Sequence, residues 1–199
     1  MIPVKSFGDA KRRLSPRLDS DQRRRLGRAL ATRTAWIAHD AGASVVIVAG
    51  TEEVATWAAN SGFASITQSD GHPGLDGGAR LGMEAAAAAG ARGFVIHADL
   101  PCVTQAVLRR AFSIEGAVIA PAHDGGTALL GGVGPGFRFA YGPGSFHRHL
   151  AAAPDAAVLS VPELAFDVDR PHDLERARSY GTARWLDGYA PAVHQTGKD

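Results

Sequence analysis

Three acidic residues and one basic loop hold most of the chemistry this chain can offer. Asp99 closes the apolar run Gly93-Phe94-Val95-Ile96-His97-Ala98 and is followed by Leu100-Pro101. A short run rich in Val, Ile and Phe, entered from Gly and left through Pro, reads as a strand buried on both faces, with Asp99 at its carboxyl end. In open α/β sheets ligands bind at that edge. A carboxylate placed there suits a divalent metal held against phosphate oxygens, the arrangement that phosphoryl and nucleotidyl transfer uses. The plainer role for Asp99 is to cap the next helix, but Thr104 in Val103-Thr104-Gln105 already has the character of that cap.

Asp167 and Asp169 are the other metal candidates, because the alternation in Asp167-Val168-Asp169 puts both acids on one side of an extended segment. Asp169 stays open between metal ligand and cap of the helix that begins at Pro171. Lys5, Lys11, Arg12 and Arg13 follow what reads as the end of a first strand. Clustered there, they suit a triphosphate and a departing pyrophosphate, while a solvated charge run is the alternative. Tyr141-Gly142-Pro143-Gly144-Ser145-Phe146-His147 combines backbone amides, a hydroxyl and a helix start, suited to a phosphate or carboxylate or to an ordinary turn with Ser145 as cap. It is not the Gly-x-Ser-x-Gly elbow of a hydrolase. His97, His123, His147 and His149 lack metal-ligand spacing, and His97 reads as a core or site-wall residue. No dinucleotide or P-loop glycine motif is present.

The elements that must position these residues alternate. Asp19-Ser20-Asp21-Gln22 is a capping sequence for a long helix, with Leu26, Leu30, Ala31, Thr34 and Ile37 at helical spacing up to Gly42. Ala43 to Ala49 predicts a second buried strand, Glu52 to Asn60 a short helix and Phe63 to Thr67 a weaker strand. Ser69 to Gly78 predicts a loop, and Ala79 to Ala89 an Ala-rich helix. After the Phe94 strand come a helix from Thr104 to about Phe112 and a strand at Ala117 to Pro121, then a glycine-rich turn around Thr127-Ala128-Leu129-Leu130. Ser145 to Ala153 and Pro171 to Tyr180 predict helices, and Ala157 to Val161 a strand. Strand and helix in alternation imply a doubly wound, mainly parallel α/β sheet. The 199 residues are most simply one domain, with 182–199 a C-terminal tail.

Composition narrows the class. Formal net charge is +1, against a nucleic-acid-binding face over the whole molecule, although the basic residues crowd into the first 33 positions. Cys102 is the sole cysteine, so neither an intrachain disulfide nor a cysteine-built zinc site is available, which fits a reducing cytoplasm. No apolar stretch approaches the roughly 18 residues of a membrane span.

Five motifs in order resemble the CofC/FbiD family. They are Pro3-Val4-Lys5; Ala10-Lys11-x-Arg13-Leu14; Ala98-Asp99-Leu100-Pro101; Gly142-Pro143-Gly144-Ser145-Phe146 with Arg148-His149-Leu150; and Asp167-Val168-Asp169-x-Pro171-x-Asp173-Leu174. That family comprises the guanylyltransferases of coenzyme F420 biosynthesis. The resemblance implies a GT-A-like, Rossmann-related nucleotidyltransferase fold. It also implies transfer of GMP from GTP to the phosphate of 2-phospholactate, phosphoenolpyruvate or 3-phosphoglycerate, with Mg²⁺. By position it implies that Asp99 and Asp167, with Asp169 beside them, hold the metal, and that Pro3, Lys5, Lys11 and Arg13 face the nucleotide. Thr127, Gly142 and Ser145 would contact the acid. The chain departs from the pattern at Asp124-Gly125-Gly126-Thr127-Ala128-Leu129, shorter than usual, and at Asp76, where an amide is common and guanine recognition is therefore at stake. The implied partners are GTP and a small phosphorylated acid, with a homodimer allowed and neither nucleic acid nor membrane expected. A nucleotidyltransferase with another base or acceptor, and a nucleotide-binding regulator without turnover, are the competing readings.

Overall fold

A computed structural model describes residues 1–8, 11–68, 71–134 and 136–189. Ala10 of the basic motif and the tail beyond residue 189 lie outside the described residues. In chain order the elements are β1 (Ile2–Val4), α1 (Ser20–Asp40), β2 (Val46–Ala49), α2 (Glu52–Asn60), β3 (Ala64–Thr67), α3 (Gly74–Ala88) and β4 (Phe94–Ile96). They continue with α4 (Gln105–Ser113), β5 (Val118–Pro121), β6 (Thr127–Gly131), α5 (Ser145–Ala152), β7 (Ala157–Val158), α6 (Pro162–Ala165) and α7 (Pro171–Ser179).

β1, β2 and β3 pair in parallel, while β4, β6, β5 and β7 form a second ladder in that order. Two backbone bonds join the ladders: Met1 donates to the Phe94 carbonyl at 2.7 Å, and the Ile96 N–H donates to the Met1 carbonyl at 3.0 Å. Bonding to residues either side of Val95 is the parallel pattern, so the spatial order is β3-β2-β1-β4-β6-β5-β7. Among these strands β6 alone runs against the rest. The sheet is therefore doubly wound and mainly parallel, as the alternation of elements implies.

The start of α1 is a capping box: Asp19 Oδ1 accepts from the Gln22 N–H at 2.7 Å, and Gln22 Oε1 accepts from the Asp19 N–H at 2.9 Å. Leu26, Leu30, Ala31 and Thr34 of this helix are buried, the predicted stripe. Thr104 caps α4 by accepting from the Val107 N–H at 3.3 Å, which leaves Asp99 free of that duty.

Four predictions differ from the structure. Thr127 to Leu130 is not a turn but the fully buried strand β6. Its flanking glycines suggest a turn, yet Gly131 is required by a neighbour: a Cβ there would lie 2.0 Å from Phe94 Cδ1. α3 begins at Gly74 rather than Ala79, because helix packing accepts Gly77 and Gly78, whose missing side chains let His72 and Val48 approach. The strand predicted to reach Val161 ends at Val158. Residues 181–188 form a 3-10 helix whose Ala183 and Leu186 are buried with Leu14, Leu26 and Cys102, so this part of the predicted tail is packed.

Candidate active site

The carboxyl ends of β1 and β4 open onto a cavity of about 660 Å³, with Pro3, Lys5, Lys11, His97, Asp99, Asp167 and Asp169 in its wall. β4 delivers His97 and Asp99. The 167–169 segment is tied alongside by the Val168 N–H, which donates to the Asp99 carbonyl at 3.2 Å. Val168 is buried, so its two neighbours turn the other way, as expected of an extended segment. Oxygens of Asp99, Asp167 and Asp169 thereby come within 4.8 Å of one another.

The basic loop reaches the same spot. Lys11 Nζ lies 2.5 Å from Asp99 Oδ2 and 3.1 Å from Asp169 Oδ1. Arg13 Nη1, largely exposed, stands 3.4 Å from Asp169 Oδ2. Lys11 has φ +57°, and among the described residues it is the one non-glycine in the left-handed region. Burial alone would depress the Lys11 pKa, but the two carboxylates outweigh it and hold the ammonium above its ordinary value. Burial would likewise raise Asp99, yet Lys11 and His97 hold it below the usual carboxylate range. For Asp167 burial, aided by the Asp99 charge, outweighs the opposing charge of Lys11 and pushes it up to about 6. Burial also lowers the His97 pKa, with Lys11 adding to the effect.

Asp173 Oδ2 accepts from the Asp169 N–H at 3.0 Å and the Arg170 N–H at 2.6 Å, bonding back to the residues just before α7, while the Asp169 carboxylate accepts from Lys11 Nζ and Arg13 Nη1 on the cavity side. Asp173 is buried, and His123 sits between it and Asp167, with Nδ1 3.5 Å from Asp167 Oδ1 and Nε2 3.6 Å from Asp173 Oδ1. His123 has no distinguishing signal in the sequence, whereas Asp173 belongs to the motif that begins at Asp167 and has the spacing of a third helical residue that bonds back to the cap.

The residues expected on the acid side are brought together differently. Thr127 and Ser145 are both about 1% exposed; Ser145 Oγ donates to Thr127 Oγ1 at 3.1 Å, and neither side chain lines the main cavity. Gly142 is exposed beside Leu75, Asp76 and Tyr141 at a smaller cavity of about 290 Å³. Asp76 Oδ1 accepts from the Tyr141 N–H at 2.7 Å, which gives this departure from the family pattern a structural partner.

A strand-end cavity combining three clustered carboxylates with lysines is what nucleotidyl transfer requires, and sequence comparison agrees with it. Residues 1–184 match the family described as guanylyl transferase CofC like. The chain belongs to this family. Among CofC relatives, a phosphoenolpyruvate guanylyltransferase of Sphaerobacter thermophilus is 36% identical over 203 residues, covering 96% of this chain and 93% of the relative. A phosphoenolpyruvate guanylyltransferase of Rubrobacter xylanophilus is 31% identical, covering 93% and 95%. A 2-phospho-L-lactate guanylyltransferase of Archaeoglobus fulgidus is 36% identical over 95 residues, covering 45% of this chain and 46% of its own. The CofC chain also shares its fold with a protein from Desulfovibrio desulfuricans described as a nucleotide-diphospho-sugar transferase, at TM-score 0.70, 20% identity and 94% coverage of both. A Methanothermobacter nucleotidyl transferase matches at TM-score 0.57 and 17% identity, covering 89% of this chain and 94% of its own. These likenesses establish the nucleotidyltransferase fold.

Proposed function

We propose that this CofC-family chain is a guanylyltransferase that moves GMP from GTP to the phosphate of a three-carbon phospho-acid, phosphoenolpyruvate or 2-phospholactate, in coenzyme F420 biosynthesis. The observation that carries the reading is the convergence of Asp99, Asp167 and Asp169 oxygens within 4.8 Å at the wall of a cavity that also holds Lys5 and Lys11. The donor set fits a hard divalent cation: all oxygen, with Asp167 Oδ1 buried and without a hydrogen-bond donor, and with the Lys11 ammonium already drawn between two of the acids. Asp99, Asp167 and Asp169 would hold Mg²⁺, which when bound neutralises charge on the α-phosphate.

In this reading Pro3, Val4 and Leu75 lead from the acidic cavity into an adjoining one of about 560 Å³, where Gln68, Gly50 and Pro73 make room for the nucleoside. An oxygen of the acceptor phosphate attacks the α-phosphorus, the new O–P bond forms as the bond to the bridging oxygen breaks, and pyrophosphate departs with that electron pair. Lys5, Lys11 and Arg13 offset the charge gathering on pyrophosphate, and no side chain becomes covalently attached. Gly142 and the segment around Thr127 and Ser145 present the acid. With soluble substrates on both sides, the enzyme works in the cytoplasm.

The decisive test is pyrophosphate release from GTP and Mg²⁺ with phosphoenolpyruvate, 2-phospholactate and 3-phosphoglycerate offered separately, with mass detection of the guanylylated product. One acid giving product, with GTP preferred over the other nucleoside triphosphates, is the expected outcome. Turnover with another triphosphate, or silence with all three acids, overturns the assignment.

A further inference from the structure

The proposed chemistry makes no use of His149, yet both of its ring nitrogens are buried and bonded. It is 0% exposed on α5 and packs its ring against Tyr141, with centroids 4.8 Å apart, and against Phe137. The Ala140 N–H donates to Nε2 at 2.9 Å, and Nδ1 lies 2.9 Å from Thr127 Oγ1. A backbone N–H can only donate, so Nε2 must carry the lone pair and the ring proton must sit on Nδ1. Nδ1–H then donates to Thr127 Oγ1, which also accepts from Ser145 Oγ. Both acceptor positions of the Thr127 hydroxyl are thereby filled, and its own hydrogen is the single donor this network leaves over.

Two separate stretches of chain meet on this α5 imidazole: the start of β6, bearing Thr127, and the 137–141 segment, bearing Tyr141 and leading into Gly142. Ser145, one turn earlier in α5, joins them through Thr127. We propose that His149 is the positioning residue of the acid-binding half of the site, acting through its Nδ1–H to fix the Thr127 and Ser145 hydroxyls and through Nε2 to fix the chain entering Gly142. This inference rests on the guanylyltransferase reading, in which those positions present the acid. The ring stays neutral at working pH, because burial drives its pKa down to about 4, against the opposing charge of Asp76 and with Arg148 and His97 adding to the shift.

Two variants separate the two bonds. In His149→Asn the amide nitrogen falls where Nδ1 was and keeps a donor to Thr127; in His149→Gln the amide oxygen falls near Nε2 and keeps an acceptor for Ala140. The wild-type reaction comes first, since its silence with every acid sinks the functional reading and the acceptor role together. Given turnover, His149→Gln is expected to raise KM for the acid tenfold or more while KM for GTP stays within twofold, and His149→Asn to keep the acid KM within threefold. An acid KM unmoved in His149→Gln, a parallel rise in KM for GTP, or failure of Asn to rescue overturns the proposal. Imidazole ¹⁵N shifts, assigned by their loss in His149→Asn, read the tautomer without any assay. Protonated Nδ1 and bare Nε2 from pH 5 to 8 support it, and a charged or Nε2–H ring over that range overturns it.

Discussion

The Lys11 ammonium lies 2.5 Å from Asp99 Oδ2 although 88 residues separate them in the chain, and its second acidic partner is Asp169 at 3.1 Å. The contact holds the basic loop down at the cavity floor, in a left-handed backbone conformation that a lysine does not adopt for its own sake. A cation of the protein thus stands among the acids that the proposed reaction assigns to a metal. Removing it has two opposed consequences: the acids lose their compensation, and the place becomes more attractive to a divalent ion.

Lys11→Met is therefore expected to be less stable in chelator, by about 1–3 kcal/mol for a broken, partly buried pair, with Mn²⁺ restoring much of the loss. Its Mn²⁺ affinity without nucleotide should rise about tenfold, since each unit of charge removed nearby is worth at least 1 kcal/mol or so at these distances. Mn²⁺ electron paramagnetic resonance and thermal unfolding with and without metal read both effects. Unchanged Mn²⁺ binding would show that the ammonium does not compete for the acids.

Two groups give stability opposite slopes with pH. His149, held near 4, is neutral in the fold while its unfolded form takes a proton below about 6.5, so the unfolded state binds more protons and stability falls as pH drops from 6.5 toward 4. Asp167, raised to about 6, keeps its proton in the fold where the unfolded carboxyl has lost it, so stability falls as pH rises from 3.8 to 6. In metal-free thermal unfolding, Asp167→Asn should gain on wild type as pH rises through that window and end more stable at pH 7, by about 2 kcal/mol. Its turnover should fall about 100-fold or more. His149→Asn should lack the acid-side loss. A parallel pH response in all three proteins would remove both assignments.

Asp76 bonds the Tyr141 N–H rather than waiting for a base. Asp76→Asn should retain the preference for GTP over ATP within about twofold and cost about 1 kcal/mol, the difference between a charge-assisted and a neutral bond. Competition kinetics with the two triphosphates would expose a direct role in base choice as a changed ratio.

At Gly50 the constraint is a close approach. Its N–H donates to the Val4 carbonyl at 2.9 Å, and a Cβ would lie 2.4 Å from the Lys5 carbonyl oxygen. Gly50→Ala must displace Lys5, at an overpacking cost of about 1–3 kcal/mol. We expect KM for GTP to rise about tenfold with the acid KM little changed, a split that steady-state kinetics resolves.

Much of this molecule is legible in the chain itself, for local reasons. The capping box at Asp19, the Thr104 cap and the apolar run into Asp99 are short-range patterns whose physics is complete within a few residues, and they place the elements and the acid at a strand end. Asp167 and Asp169 on one side of Val168 follow from strand alternation alone. What the tertiary structure decided is everything that depends on a distant partner. β6 hides behind glycines because only the approach of Phe94 explains Gly131. The Asp169 carboxylate faces Lys11 and Arg13, partners 158 and 156 residues away that its own sequence context does not announce. Lys11 looks like one charge in a solvated run until Asp99 and Asp169 surround it, and His149 looks like one more histidine until Ala140 and Thr127 dictate which nitrogen bears its proton. A residue's type sets what it can donate, accept or neutralise, but which of these it does is set by the groups that folding brings within about 3 Å, the range over which hydrogen bonds form.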